Sequence, residues 1–188
     1  MRTRGTSDRA ARLGDDRPWR KLVRDQRGVA ALEFALMAGT FIMGMLSTVD
    51  VARWYYDRME VENAAQAGAQ AAWSTCDTTE LPATTNCPGF NSAVTSSVQS
   101  TSLGTSVSLR SGSPSEGYYC VDTNGVLQYV SGVSSRPSNC SSVGSASDQP
   151  GDYVKIETTF TYAPLFTGIS IGGLLPTSIT ANSMMRLQ

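Results

Sequence analysis

The residue with most to explain is Glu33. It is the one charged side chain in VAALEFALMAGTFIMGMLSTV, the run of twenty-one residues from Val29 to Val49. A carboxylate at lipid depth is costly unless something pairs with it. Glu33 therefore points either to ion pairing with an ammonium group or to a side chain that snorkels to the membrane edge. The second chemistry lies in Cys76, Cys87, Cys120 and Cys140, all beyond the apolar run. An even count in a Ser/Thr/Gly-rich region predicts two disulfides formed in an oxidising compartment. No close CxxC pair exists to hold zinc. The sequence contains no histidine, the commonest general base and metal ligand. It also lacks a P-loop. These observations predict a protein that is not an enzyme and that takes no metal or cofactor.

The elements around Glu33 follow from charge and hydropathy. The chain of 188 residues has a net charge of −1, but residues 1–28 hold nine Lys/Arg against four Asp, and the remainder carries −6. A basic stretch beside an apolar run favours a membrane over nucleic acid, with the basic end cytoplasmic and the rest of the chain outside the cytoplasm. Residues 1–28 are read as a basic leader without apolar periodicity. Residues 29–49, as a helix, span about 30 Å, one bilayer core. No proline interrupts the chain from Val29 to Trp73. Over 50–73 the pattern becomes one-sided: Val51, Trp54, Tyr55, Arg58, Val61, Ala65, Gly68, Ala69 and Ala72 recur at spacings of three and four, while Arg53, Asp57, Glu60 and Gln70 point elsewhere. One helix of about 45 residues results, and its second half needs a folded domain to lean on.

Residues 74–188 supply that domain. A loop carries Cys76 and Cys87, a short helix is expected within 91–103, and alternating segments follow. TSVSLRS (105–111), GYYCVD and VLQYV read as strands, the last two joined by a tight turn at Asn124-Gly125. DYVKIETTFTYAP places Val154, Ile156, Phe160 and Tyr162 on one face, and TSITANSMMRL reads as a last strand. Four or five antiparallel strands against an amphipathic helix make an α+β unit. Pairing cysteines by nearness would join Cys76 to Cys87 and Cys120 to Cys140, although three pairings are open to four cysteines.

The string of basic residues, Gly28, Val-Ala-Ala-Leu, Glu33 and Phe34 resembles the type IV prepilin signature, which has a glycine at the cut site and a glutamate five residues into the mature chain. The longer segment RGVAALEFALMAGTFIMGMLSTVDVARWYYDRMEVENAAQAGAQAA resembles the TadE-like family of tight-adherence (Tad, Flp-type) pilus loci. DYVKIETTFTYAPLF and SITANSMMRLQ resemble the closing part of those proteins. The resemblance implies a type IV pilin-like fold and cleavage after Gly28 by a prepilin peptidase, leaving an ammonium at Val29. Glu33 would pair with that ammonium, within one chain or between neighbours, and Phe34 would stand beside it in the subunit contact. Ala31, Ala35 and Gly39 form a small-xxx-small row suited to close helix packing. The implied role is a minor pilin or pseudopilin in the inner membrane, with the major Flp-type pilin, other minor pilins, the Tad inner-membrane assembly platform and the lipid bilayer as partners, and no nucleic acid. The competing expectation is an unprocessed, membrane-anchored extracytoplasmic binding or adhesin module.

Overall fold

The computed structural model of the chain describes residues 26–188. Most of the basic leader expected at 1–28 lies outside the described residues. The first element is a helix of 50 residues, α1 (Gln26–Thr75). It matches the absence of proline and the richness in Ala, Leu and Met, all strong helix formers. Two hydroxyls inside it turn back on the helix: Thr40 Oγ1 donates to the Leu36 carbonyl at 3.2 Å and Thr48 Oγ1 to the Gly44 carbonyl at 2.9 Å. This local bonding satisfies a hydroxyl without a partner from outside the helix. At the other end, Thr75 Oγ1 likewise turns back and donates to the Ala71 carbonyl at 2.6 Å.

The chain divides into two compact units with the boundary between Met43 and Gly44. In the first, the described residues are helical and mostly apolar, with Leu32, Phe34, Leu36, Met37 and Phe41 all exposed. The helix is long and apolar enough to cross a membrane.

The second unit is an α+β domain. After α1 come α2 (Ala83–Asn86), α3 (Phe90–Val98) and five strands, β1 (Val107–Leu109), β2 (Ser115–Val121), β3 (Leu127–Gly132), β4 (Gly151–Thr161) and β5 (Ser178–Arg186). All pair antiparallel. β4 is the spine of the sheet. β5 pairs along it from Tyr153 to Thr161. The other edge is shared, β2 taking residues 151–155 and β1 residues 158–160, with β3 outside β2.

One sheet face meets the second half of α1. Val61, Ala64, Ala65, Ala69 and Ala72 are fully buried, with Val94 and Val98 from α3 and Val107, Val154 and Ile156 from the strands. The small residues are there because the helix comes close: a Cβ on Gly68 would stand 2.7 Å from Val98 Cγ2 and 3.1 Å from Ile156 Cγ2. Thr158, on the inward face of β4, donates its hydroxyl to the Val61 carbonyl at 3.2 Å. Ser97 on α3 donates to the Ala67 carbonyl at 2.9 Å.

Several expectations shift in detail. The helix expected within 91–103 is α3, ending at Val98, and the strand expected over 105–111 shrinks to three residues before Gly112, which adopts φ +85°. The β2–β3 turn takes the three residues Thr123, Asn124 and Gly125 that the two expected strands flank. Asp122 N–H donates to the Val126 carbonyl at 2.9 Å, leaving three residues in the loop, with Gly125 at φ +80°. The Asp122 carboxylate organises that loop, accepting from Asn124 N–H at 2.8 Å and Val126 N–H at 2.9 Å. These bonds hold its pKa below the ordinary carboxylate value, the one from Val126 most strongly. On the helix, Asp57 is buried, not turned outward, whereas Tyr55 and Arg58 are exposed. The buried stripe keeps Val61, Ala65, Gly68, Ala69 and Ala72 of the expected one and takes in Asp50, Asp57 and Ala64 in place of Tyr55 and Arg58.

Candidate assembly and processing site

Gly28 lies in the first turn of α1, and among the described residues a Cβ there would meet nothing within 4 Å. Val29 is 58 % exposed and Phe34 75 %. Glu33 is also exposed. Val29 and Glu33 are four residues apart on a continuous helix, a rise of about 6 Å that puts both on one face. A carboxylate there can meet an ammonium carried by residue 29 or by a neighbouring helix. Ala31, Ala35 and Gly39 recur at intervals of four, line one exposed face, and Gly39 likewise has nothing within 4 Å of a would-be Cβ. A second helix can approach such a strip closely.

The cysteines stand apart from this helix face. Cys76 is bonded to Cys87 and Cys120 to Cys140, with Cα–Cα distances of 5.8 and 5.7 Å. The first bond ties the end of α1 to the α2 segment. The second ties the buried end of β2 to the long loop before β4. The nearest-neighbour pairing, one of three open in the sequence, is the one formed.

Two groups of residues were not visible as sites in the sequence. The first centres on Asp50, fully buried although it directly follows the apolar run. Its carboxylate accepts from Leu165 N–H at 2.9 Å, Phe166 N–H at 3.4 Å and the Ser170 hydroxyl. Its backbone carbonyl accepts from the Tyr162 hydroxyl at 3.0 Å. The signal was present as a second carboxylate at the end of the apolar run facing a stretch, 158–185, with no charge of its own.

The second group is on β4. Asp152 is 3 % exposed, and its Oδ1 finds no hydrogen-bond partner among the described residues. Burial raises its pKa to about 6, Glu116 adds to the rise, and Arg136 opposes it. Glu116 is itself engaged with Ala83 N–H at 2.8 Å and Thr84 N–H at 2.7 Å at the start of α2.

The tyrosines of the middle region divide by face. Tyr118 is in the core, with the Arg136 guanidinium 5.7 Å from its ring centre. Tyr119, Tyr129 and Tyr153 share the opposite face of the sheet. Tyr119 meets the other two edge to face at centroid distances of 5.4 and 5.7 Å.

Residues 28–70 match the family model described as TadE-like protein. No curated protein and no solved structure matches the chain. The match starts at Gly28, takes in Glu33 and Phe34, and runs through the close-packed Ala/Gly stripe that ends beside Ala72. Over residues 28–70 the chain is similar to TadE-like proteins, as the resemblance in its sequence implied.

Proposed function

We propose that this chain is a minor pilin or pseudopilin subunit that helps to assemble, or initiates, a Tad/Flp-type pilus serving adhesion or secretion. The observation that carries the reading is the TadE-like match, which begins at the very glycine where a prepilin peptidase would cut. In this reading residues 1–28 are removed on the cytoplasmic side, 29–49 span the inner membrane, and the disulfide-bonded domain lies outside the cytoplasm. Cleavage creates an ammonium at Val29, one helical turn from Glu33, and the two neutralise each other at the membrane surface. Glu33 of an incoming subunit meets the ammonium of the one before it and sets the axial register, while Ala31, Ala35 and Gly39 let the helices close on one another. The role is mechanical and needs no catalytic group. Its partners are the peptidase, the major pilin, other minor pilins and the Tad assembly platform.

The test is an amino-terminal sequence and intact mass of the chain made beside a prepilin peptidase. The expected product begins at Val29, and Gly28→Leu abolishes it. Glu33→Gln is cleaved normally but fails to enter the assembly. An intact leader in the unsubstituted chain would refute the reading and favour the permanently anchored module.

A further inference from the structure

The stretch between β4 and β5 departs from an ordinary surface loop. Residues 158–185 contain no Asp, Glu, Lys or Arg. Within it Leu165, Ile169 and Ile171 are each more than half exposed and Leu174 is 85 % exposed. Exposed apolar side chains gathered in one segment mark a contact with something outside the domain. This segment is also fixed in place. Ile171 N–H donates to Ser47 Oγ at 3.3 Å, and Asp50 takes Leu165, Phe166 and Ser170. The Trp54 indole donates to the Pro176 carbonyl at 3.1 Å. Gly172 lies against Asp50 so closely that a Cβ would stand 2.9 Å from its Cγ.

These attachments set the loop's level. Ser47 is in the last turn of the 29–49 span and Trp54 is seven residues further on, about 10 Å along the helix axis. The polar layer on each side of a bilayer core is of similar depth, roughly 5–8 Å. Trp54, Tyr55 and Tyr56 stand at this level, and Tyr55 and Tyr56 are more than half exposed. Tryptophan and tyrosine are enriched at that depth because the ring is apolar and its N–H or O–H is polar.

We propose that the 163–177 loop is a second membrane contact, an interfacial anchor whose tip of Leu165, Ile169, Ile171 and Leu174 enters the acyl–headgroup boundary of the leaflet in which the 29–49 span ends. The inference rests on the spanning reading above. Lipid is the occupant because the loop is continuous with the end of the span, lies at interfacial depth and carries no charge to be desolvated. Two contacts side by side hold the domain at one rotation about its helix, which a lone span does not.

The experiment places the photo-crosslinker p-benzoylphenylalanine at Leu174 in the full chain, reconstituted in phosphatidylethanolamine–phosphatidylglycerol vesicles. Ile169 serves as a second position should the first disturb folding. Phe41, within the span, is the lipid-facing reference. Val126 is the water-facing one: it is 53 % exposed at the β2–β3 tip, beyond the Gly151 end of β4, whereas the loop leaves from the Thr161 end. That separation is about 35 Å of strand. After irradiation, lipid adducts read by mass are expected at Phe41 and Leu174, and at Leu174 roughly tenfold above Val126, which lies clear of the polar layer. Lipid adducts at Phe41 with none at Leu174 or Ile169 overturn the anchor. A crosslinked dimer at Leu174 without lipid overturns it in favour of a neighbouring copy. No adduct at Phe41 overturns the spanning reading, and this one with it.

Discussion

Replacing Gly68 by alanine tests how closely α1 lies on the sheet. On an exposed helix the change is favourable by about 1 kcal/mol, because alanine is the better helix former. Here the new methyl would stand 2.7 Å from Val98 Cγ2, 3.1 Å from Ile156 Cγ2 and 3.6 Å from Val94 Cγ1. All three neighbours are fully buried and β-branched, so none can swing aside without losing its preferred rotamer. Overpacking of this kind costs about 1–3 kcal/mol. The net expectation is a loss of about 1 kcal/mol, which lowers Tm by about 2–4 °C for a chain of this size. Thermal unfolding of the full chain in detergent micelles, followed by near-UV circular dichroism, reads this directly. Val98→Ala removes the closest neighbour and alone costs about 2 kcal/mol. In the double variant the clash is relieved and the helix gain remains, so its cost falls short of the summed single costs by about 1–2 kcal/mol. A rise in Tm for Gly68→Ala, or strict additivity in the cycle, would refute the close approach of helix and sheet.

Asp152 gives a pH prediction. Its pKa is raised to about 6 in the fold, above the carboxyl value of the unfolded chain, so the folded state binds the extra proton. This group's contribution is fully present below about pH 4 and is lost as pH rises through about 6. Asp152→Asn keeps the shape and removes the titration, so the Tm difference between variant and parent should grow in the variant's favour from pH 4 to 7; a constant difference would count against the burial argument. The disulfides close intervals of 11 and 20 residues. Replacing either pair by alanine is expected to lower stability by about 3 kcal/mol, with Cys120–Cys140 slightly the more costly, as denaturant titration would measure. An unchanged midpoint would show that the bond constrains nothing.

What was legible in the sequence was whatever carries a period or a fixed local motif. The uninterrupted helix follows from composition, and β4 and β5 follow from alternation, with Val154, Ile156 and Tyr162 inward. The resemblance carried by Gly28 to Phe34 needs a few residues and no tertiary structure, and the family match covers them. The misreadings come where a side chain is placed by partners far along the chain. Asp57 looks like a surface residue by type, yet the helix turns it inward. Asp50 is buried because amide donors more than a hundred residues later come to it, and no periodicity encodes that. At Asp50 a local rule met a long-range hydrogen bond and gave way.

The central position of β4 also dictates an order of biogenesis. The polypeptide leaves the ribosome from its amino end, so the whole of α1 and the β2–β3 hairpin exist before residue 151 is made. Until then β1 has no strand to pair with, and Thr158, which bonds the Val61 carbonyl, has not been made. Cys76–Cys87 and Cys120–Cys140 lie wholly upstream and can oxidise during this interval. The arrival of β4 then recruits β1, β2 and the helix in one late step. Throughout the wait the sheet-facing side of the α1 Ala/Gly stripe is uncovered. Such a nascent chain is one for a holding chaperone to shield, and its exposure ends when translation passes the last strand.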